Sequence, residues 1–197
     1  MRTEQENFWE GSFGDEYTKR NSNHNQINNF SKIFLENRLS IKSAIEIGSN
    51  LGKNLDALKL LFPECKTFGI EINKSAYQTL SKNHDGFNGS IYDFSTDMQY
   101  ELSISYGVLI HQPQEKLKDY YRKLYDFSNK YILITEYFSP YPVTVKYRDY
   151  DNKLFKRDFA KEFWNTFNDL KLIDYGFFWS QDDFTNGDDT NWFLFKK

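Results

Sequence analysis

Between Lys42 and Ile47 the chain reads Lys-Ser-Ala-Ile-Glu-Ile and then turns through Gly48-Ser49-Asn50-Leu51-Gly52. The first run is short and apolar, as a buried strand requires. Leu51, Leu55, Leu58 and Phe62 then recur at helical spacing until Pro63 closes the segment. Glycines at such a junction let the backbone leave the strand in a tight turn and come against a ligand that side chains would hold away. The helix beyond presents unpaired N–H groups to the same place.

The pattern repeats. Thr67–Ile72 reads as a second strand, with Asn73 capping a helix through about Lys82. Gly86–Ile91 is a weaker third strand and Leu102–Ile110 a fourth, followed by a helix over Gln114–Phe127 and a fifth strand at Tyr131–Tyr137. Strands alternating with helices at this spacing predict a parallel sheet with crossover helices on both faces. After Phe138 a Pro-containing stretch, Ser139–Lys153, leads to a helix over Lys156–Phe167. Leu170–Trp179 and Asn191–Lys197 follow as an antiparallel hairpin, and a helix over Gln26–Asn37 precedes the first strand. The 197 residues are expected to form one doubly wound, Rossmann-like α/β domain with a mostly parallel seven-stranded sheet. Residues 1–38 would be an arm and helix, 39–138 the nucleotide-binding core, and 139–197 a second-site segment ending in the hairpin.

Residues 1–24 are polar but hold Phe8, Trp9, Phe13 and Tyr17, with Gly11 and Gly14 between them. Disordered tails rarely carry so many large aromatics, so the arm is expected to pack, either on the domain edge or as a lid. Net charge is −3 with the 25 basic residues scattered, which disfavours a nucleic-acid partner. The single cysteine, Cys65, reads as a small buried residue. Neither a membrane-length apolar run nor a signal-peptide pattern is present, so the expectation is a cytoplasmic protein.

Glu71 ends the second strand 19 residues beyond Gly52, where a carboxylate accepts both hydroxyls of a ribose. Nicotinamide and methionine cofactors share that need. Glu46, two residues before the first glycine, separates them: it would repel a pyrophosphate but suits the ammonium of a methionine group. A short-chain dehydrogenase also needs Tyr-x-x-x-Lys, which none of the 14 tyrosines provides, and no P-loop is present. His24, His84 and His111 are too scattered for a metal site, and Asp182, Asp183, Asp188 and Asp189 lack calcium-loop register.

Glu46–Gly52, Glu71, Asn88-Gly89-Ser90-Ile91-Tyr92-Asp93-Phe94 and Gly107-Val108-Leu109-Ile110-His111 together resemble the class I S-adenosylmethionine-dependent methyltransferases. The likeness extends to the small methylases of bacterial pseudaminic acid and related surface-sugar gene clusters. It is carried there by Phe8-Trp9-x-Gly11-x-Phe13-Gly14-Asp15-x-Tyr17, Arg20-Asn21, Glu136-Tyr137, Leu154–Ala160, Asp174–Phe177 and Asn191–Leu194. The resemblance implies S-adenosyl-L-methionine as cofactor and a small polar acceptor, sugar-derived in that branch. The cofactor set it implies is Tyr17, Arg20, Glu46, Gly48, Ser49, Asn50, Gly52, Glu71, Ile72, Ser90, Ile91, Tyr106 and Gly107. Ser90 stands where the class usually has Asp, and Ser49 where it usually has Gly.

Methyl transfer is an in-line displacement, so the protein supplies alignment, a dry pocket and sometimes a base. His111 and Glu136 end neighbouring strands and are the candidate bases. Tyr137, Arg148, Lys156 and Arg157 are the candidates for holding the acceptor. A cofactor-binding protein without transfer activity and a nicotinamide oxidoreductase remain as competing functions. An open, charged crevice would favour the enzyme and a plugged one the binder.

Overall fold

The strand–turn–helix unit of residues 42–62 lies at the centre of the molecule. The computed structural model describes residues 2–21, 26–185 and 187–197; His24 lies outside them. Two short helices, α1 (Glu4–Glu10) and α2 (Ser12–Arg20), open the chain, and α3 (Ile27–Phe30) runs into a π-helical turn at Ser31–Leu35. The alternation then proceeds through β1 (Ser43–Ile47), α4 (Lys53–Leu61), β2 (Lys66–Glu71), α5 (Lys74–Leu80), β3 (Asp85–Asn88), β4 (Tyr100–Tyr106), α6 (Leu117–Asp126) and β5 (Ser128–Glu136). It closes with β6 (Val143–Tyr147), β7 (Tyr150–Lys156), α7 (Phe159–Thr166), β8 (Lys171–Phe178) and β9 (Thr190–Lys196).

Seven strands form one sheet in the order β3-β2-β1-β4-β5-β9-β8. The first five are parallel, and β9 pairs antiparallel with both β5 and β8. This is the expected doubly wound sheet with a terminal hairpin. Alternation along β1 divides the core: Ile45 and Ile47 join the cluster under α6 and α7, and Ala44 joins the one under α3 and α4. Phe30, Phe34 and Phe163 are fully buried, each worth roughly 1.5–3 kcal/mol. Cys65 is buried, as expected of a small apolar residue.

Several boundaries differ from the sequence reading, among them the third strand, which spans Asp85–Asn88 rather than Gly86–Ile91, and three differences bear on the site. The fourth strand ends at Tyr106 rather than Ile110, because Gly107 takes a left-handed φ of 67° and Leu109–His111 coil into a 3-10 turn. The last helix starts at Phe159 rather than Lys156, since the Asp158 carboxylate accepts from the Lys161 N–H at 3.0 Å and caps it there. The largest difference is the β6–β7 hairpin inside Ser139–Lys156, a second sheet apart from the first. Its turn is Arg148-Asp149, both with positive φ, so it lacks the Asn-Gly or Asp-Gly signal that usually marks such a turn. The β-branched run Val143-Thr144-Val145 was the available clue.

The arm packs, as its aromatics require. Phe8 stacks on Phe13 at 4.1 Å, and both rings meet Tyr150 of the hairpin. The bend between α1 and α2 falls at Gly11, whose extended backbone any residue could adopt. Gly14 is needed for proximity: a Cβ there would lie 1.9 Å from the Trp9 carbonyl oxygen.

Candidate functional site

The C-terminal ends of β1, β2 and β4, roofed by α1, α2 and the β6–β7 turn, enclose a cavity of about 510 Å³, within the range of small-molecule sites. Of the expected cofactor residues, Tyr17, Gly48, Ser49, Asn50, Glu71, Ile72, Ser90, Ile91, Tyr106 and Gly107 line it. His111, Tyr137 and Arg148 line its other end.

The turn after β1 is left-handed at Gly48 (φ 72°), Asn50 (φ 47°) and Gly52 (φ 81°), and not at Ser49. That is why serine is tolerated at that position, where its hydroxyl donates to the Glu46 carbonyl oxygen at 2.8 Å. A Cβ on Gly48 would press on Val108 at 2.6 Å, so glycine here lets the turn approach the loop after β4. Gly52 is different. It does not line the cavity; a Cβ there would meet the His84 ring at 2.8 Å, so it serves the junction of α4 with its neighbours.

Glu71 is buried at the end of β2. Its two oxygens accept from the Asn50 and Asn73 N–H groups, each at 2.7 Å. Burial pushes its pKa up to about 7 despite these bonds. Its unused lone pairs are those of a cavity wall, as a ribose diol would need. Glu46 stands one layer behind. Its Oε1 holds the Asn54 amide at 2.5 Å, and Asn54 lines the cavity. Its Oε2 is buried without a partner. Burial, opposed by Asn54 and reinforced by the Glu71 charge, raises its pKa to about 8. The unliganded carboxyl is therefore protonated at neutral pH, and a ligand ammonium beside it would favour its ionised form and give Oε2 a partner. Gly107 completes the fit: a Cβ there would meet nothing within 4 Å. The residues present therefore suit an aminoacyl-nucleoside sulfonium.

His111 sits between Trp9 and Tyr147, with ring centroids 4.6 and 5.1 Å away. Its Nδ1 lies 2.7 Å from the Lys153 carbonyl oxygen, which can only accept, so the proton is on Nδ1 and Nε2 keeps a lone pair. Burial, opposed by that bond, lowers its pKa to about 4 and keeps the ring neutral.

Besides Glu46 and Gly52, four expected site residues do not line the cavity. Glu136 does not reach the crevice: its carboxylate turns inward and accepts from the N–H groups of Val108 (2.9 Å), Leu109 (2.8 Å) and Ile110 (3.5 Å). It caps the turn that carries His111, so a base role is replaced by a positioning one. Arg157 is buried against Glu162 and Gln114 and does not meet the acceptor end. Lys156 lies over the Tyr137 ring at 4.9 Å, outside the cavity. Arg20 is exposed, paired with Glu16 and over Phe13, and does not line the cavity. Of the Asp cluster, Asp182 and Asp189 are used locally, accepting from the Phe184 and Ser180 N–H groups, whereas Asp188 accepts from the Tyr137 hydroxyl and lines the cavity.

Sequence reasoning missed Gln5, Glu6, Asn54 and Asn73. Asn73 caps α5, as the sequence predicts. It also donates through Nδ2 to Asp15 at 3.0 Å and to the Trp9 and Glu10 carbonyls, tying the arm to the sheet. The polar face of α1 was the only available signal for Gln5 and Glu6.

The fold is the Rossmann-like methyltransferase fold. Magnesium protoporphyrin IX methyltransferase (ChlM) from Synechocystis PCC 6803, solved with bound SAH, shares it with a TM-score of 0.71 at 10% identity, over 98% of this chain and 97% of that one. The 1,6-didemethyltoxoflavin-N1-methyltransferase of Burkholderia thailandensis, solved with 1,6-didemethyltoxoflavin and S-adenosylhomocysteine, gives 0.69 at 8% identity over 87% of this chain and 77% of that one. The plantazolicin methyltransferase BpumL, in complex with SAH, gives 0.68 at 12% identity over 98% and 94%. No protein-family model and no curated protein matches the sequence.

Proposed function

We propose that this chain is an S-adenosyl-L-methionine-dependent methyltransferase acting on a small polar acceptor, a sugar or sugar-nucleotide of a surface-glycan pathway. One observation carries the cofactor assignment: Glu71 and the left-handed glycine turn border one cavity, with Glu46 held behind its lining residue Asn54. The acceptor class rests on the sequence resemblance and on the polar end of the cavity formed by Tyr17, Tyr137, Arg148 and His111. Arg148 and Asp188 make that end charged, which favours a polar acceptor and transfer over binding alone.

The bound sulfonium supplies the electrophilic methyl group. The chain does the rest. Glu71 would hold the ribose, and Glu46, behind Asn54, would balance the ammonium. Trp9 and Tyr147 keep water from the reacting centre. His111 Nε2 accepts a hydrogen bond from the acceptor O–H or N–H. A hydroxyl oxygen that is gaining a methyl group is far more acidic than an imidazolium, so a base with a pKa of about 4 can take its proton.

Calorimetry with S-adenosylhomocysteine tests this. Binding in the micromolar range, roughly −8 kcal/mol, is expected. A folded protein that gives neither heat nor a thermal shift at millimolar ligand overturns the assignment.

A further inference from the structure

Resting on that cofactor assignment, we propose that Glu6, carried by the N-terminal arm and not by the sheet, accepts the exocyclic amine of adenine. Glu6 thereby selects a 6-amino over a 6-oxo purine.

The adenine end of the cavity has apolar walls in Ile72 and Ile91 and little spare acceptor capacity on the sheet side. Ser90 is buried, and its oxygen already accepts from the Tyr92 N–H at 3.2 Å. Gln112 spends its Oε1 on the Tyr92 hydroxyl at 2.7 Å. Asn73 spends its Oδ1 on Ala76 and Ser75. Glu6 lines the same end.

A capping box fixes the Glu6 side chain: Oε2 accepts from the Thr3 N–H at 2.7 Å, and the Glu6 N–H donates to the Thr3 hydroxyl at 3.1 Å. A carboxylate offers about four lone-pair sites, so Glu6 has acceptor capacity left after serving Thr3 and Ser90. Burial alone would raise its pKa, but hydrogen bonds from Ser90 and Thr3, with the nearby Arg2 charge, hold it below the ordinary value. It is therefore an ionised acceptor at neutral pH. An amine donates to it; a 6-oxo group would set acceptor against acceptor.

The test is calorimetry on the intact chain with S-adenosylhomocysteine and S-inosylhomocysteine, for wild type and Glu6→Gln. Glutamine preserves the capping box and adds an N–H donor. Wild type is expected to prefer the adenine form by at least about tenfold, the lower range for hydrogen bonds to a charged group. Glu6→Gln is expected to bring the two affinities within about threefold. Glu6→Asp, which keeps the charge but withdraws it, is expected to weaken adenine-form binding, and circular dichroism verifies folding of each variant. An unchanged preference in folded Glu6→Gln overturns the role of Glu6 and leaves the cofactor assignment standing. Binding of neither ligand by wild type overturns both.

Discussion

The Nδ1 of His111 donates to the carbonyl oxygen of Lys153, 2.7 Å away. The ring on the loop after β4 is thus oriented by a strand of the separate β6–β7 sheet. The same strand is tied to the arm, where Lys153 pairs with Glu4 and the Asn152 carbonyl accepts from Gln5. Arm, hairpin and candidate base therefore form one contact unit over the cavity.

The buried imidazole makes stability pH-dependent. Its pKa is depressed to about 4 in the folded protein, against about 6.5 unfolded. Its contribution is intact above pH 6.5 and is lost as pH falls towards 4, because only the unfolded chain takes up the proton. At pH 5 this loss is on the order of 2 kcal/mol. Urea unfolding of wild type and His111→Gln at pH 5 and 8 should show the variant closing the gap, or overtaking, at the lower pH. A pH-independent difference would mean that His111 titrates normally.

Glu46 should lose a proton when the cofactor binds. The unliganded carboxyl is held protonated below about pH 8, and a ligand ammonium favours its ionised form. At pH 7 binding should release a fraction of a proton and should tighten as pH rises towards 8. Calorimetry in buffers of different ionisation enthalpy measures this, and Glu46→Gln should flatten the dependence. A wild-type signal already flat would remove the ammonium from Glu46.

Removing Glu71 should weaken S-adenosylhomocysteine by about 1.5–3 kcal/mol in Glu71→Ala, the usual size for hydrogen bonds to a charged group. Some of the loss would come through the turn, since the Asn50 and Asn73 N–H groups lose their acceptor. Titration of the folded variant provides the measurement. Affinity equal to wild type would place the ribose elsewhere.

Glu136→Ala should act on stability. Three loop N–H groups lose their carboxylate, at a cost of roughly 2–4 kcal/mol. Chemical denaturation reads this directly. A stable variant with a selectively slowed transfer step would return Glu136 to the reacting centre.

Deleting residues 1–17 should lower cofactor affinity while the sheet stays folded, because the arm roofs the cavity and touches the sheet's C-terminal end through Asn73, Ser90 and His111 without contributing a strand. Hydrogen exchange at residues 8–21 should slow when S-adenosylhomocysteine is added. Equal exchange with and without ligand, together with unchanged affinity of the truncated chain, would reduce the arm to edge packing.

The doubly wound sheet, its terminal hairpin, the glycine turn and Glu71 were legible in the sequence because each is a local matter. Period-2 and period-3.6 burial and left-handed backbone at Gly48 and Gly52 concern residues a few positions apart. Tertiary structure decided the direction of each side chain where segments meet. Glu136 looked like a site residue by its place at a strand end, and Arg157 by its place in the acceptor-shaping stretch beyond the fifth strand. They turn inward because loop N–H groups and Glu162 offer them partners there. Glu6 carried no signal in the sequence beyond the polar face of α1, and only the approach of α1 to Ser90, just beyond β3, brings it into the cavity wall. Backbone preference is written in neighbouring residues; which distant groups share a desolvated space is settled only when the chain closes on itself.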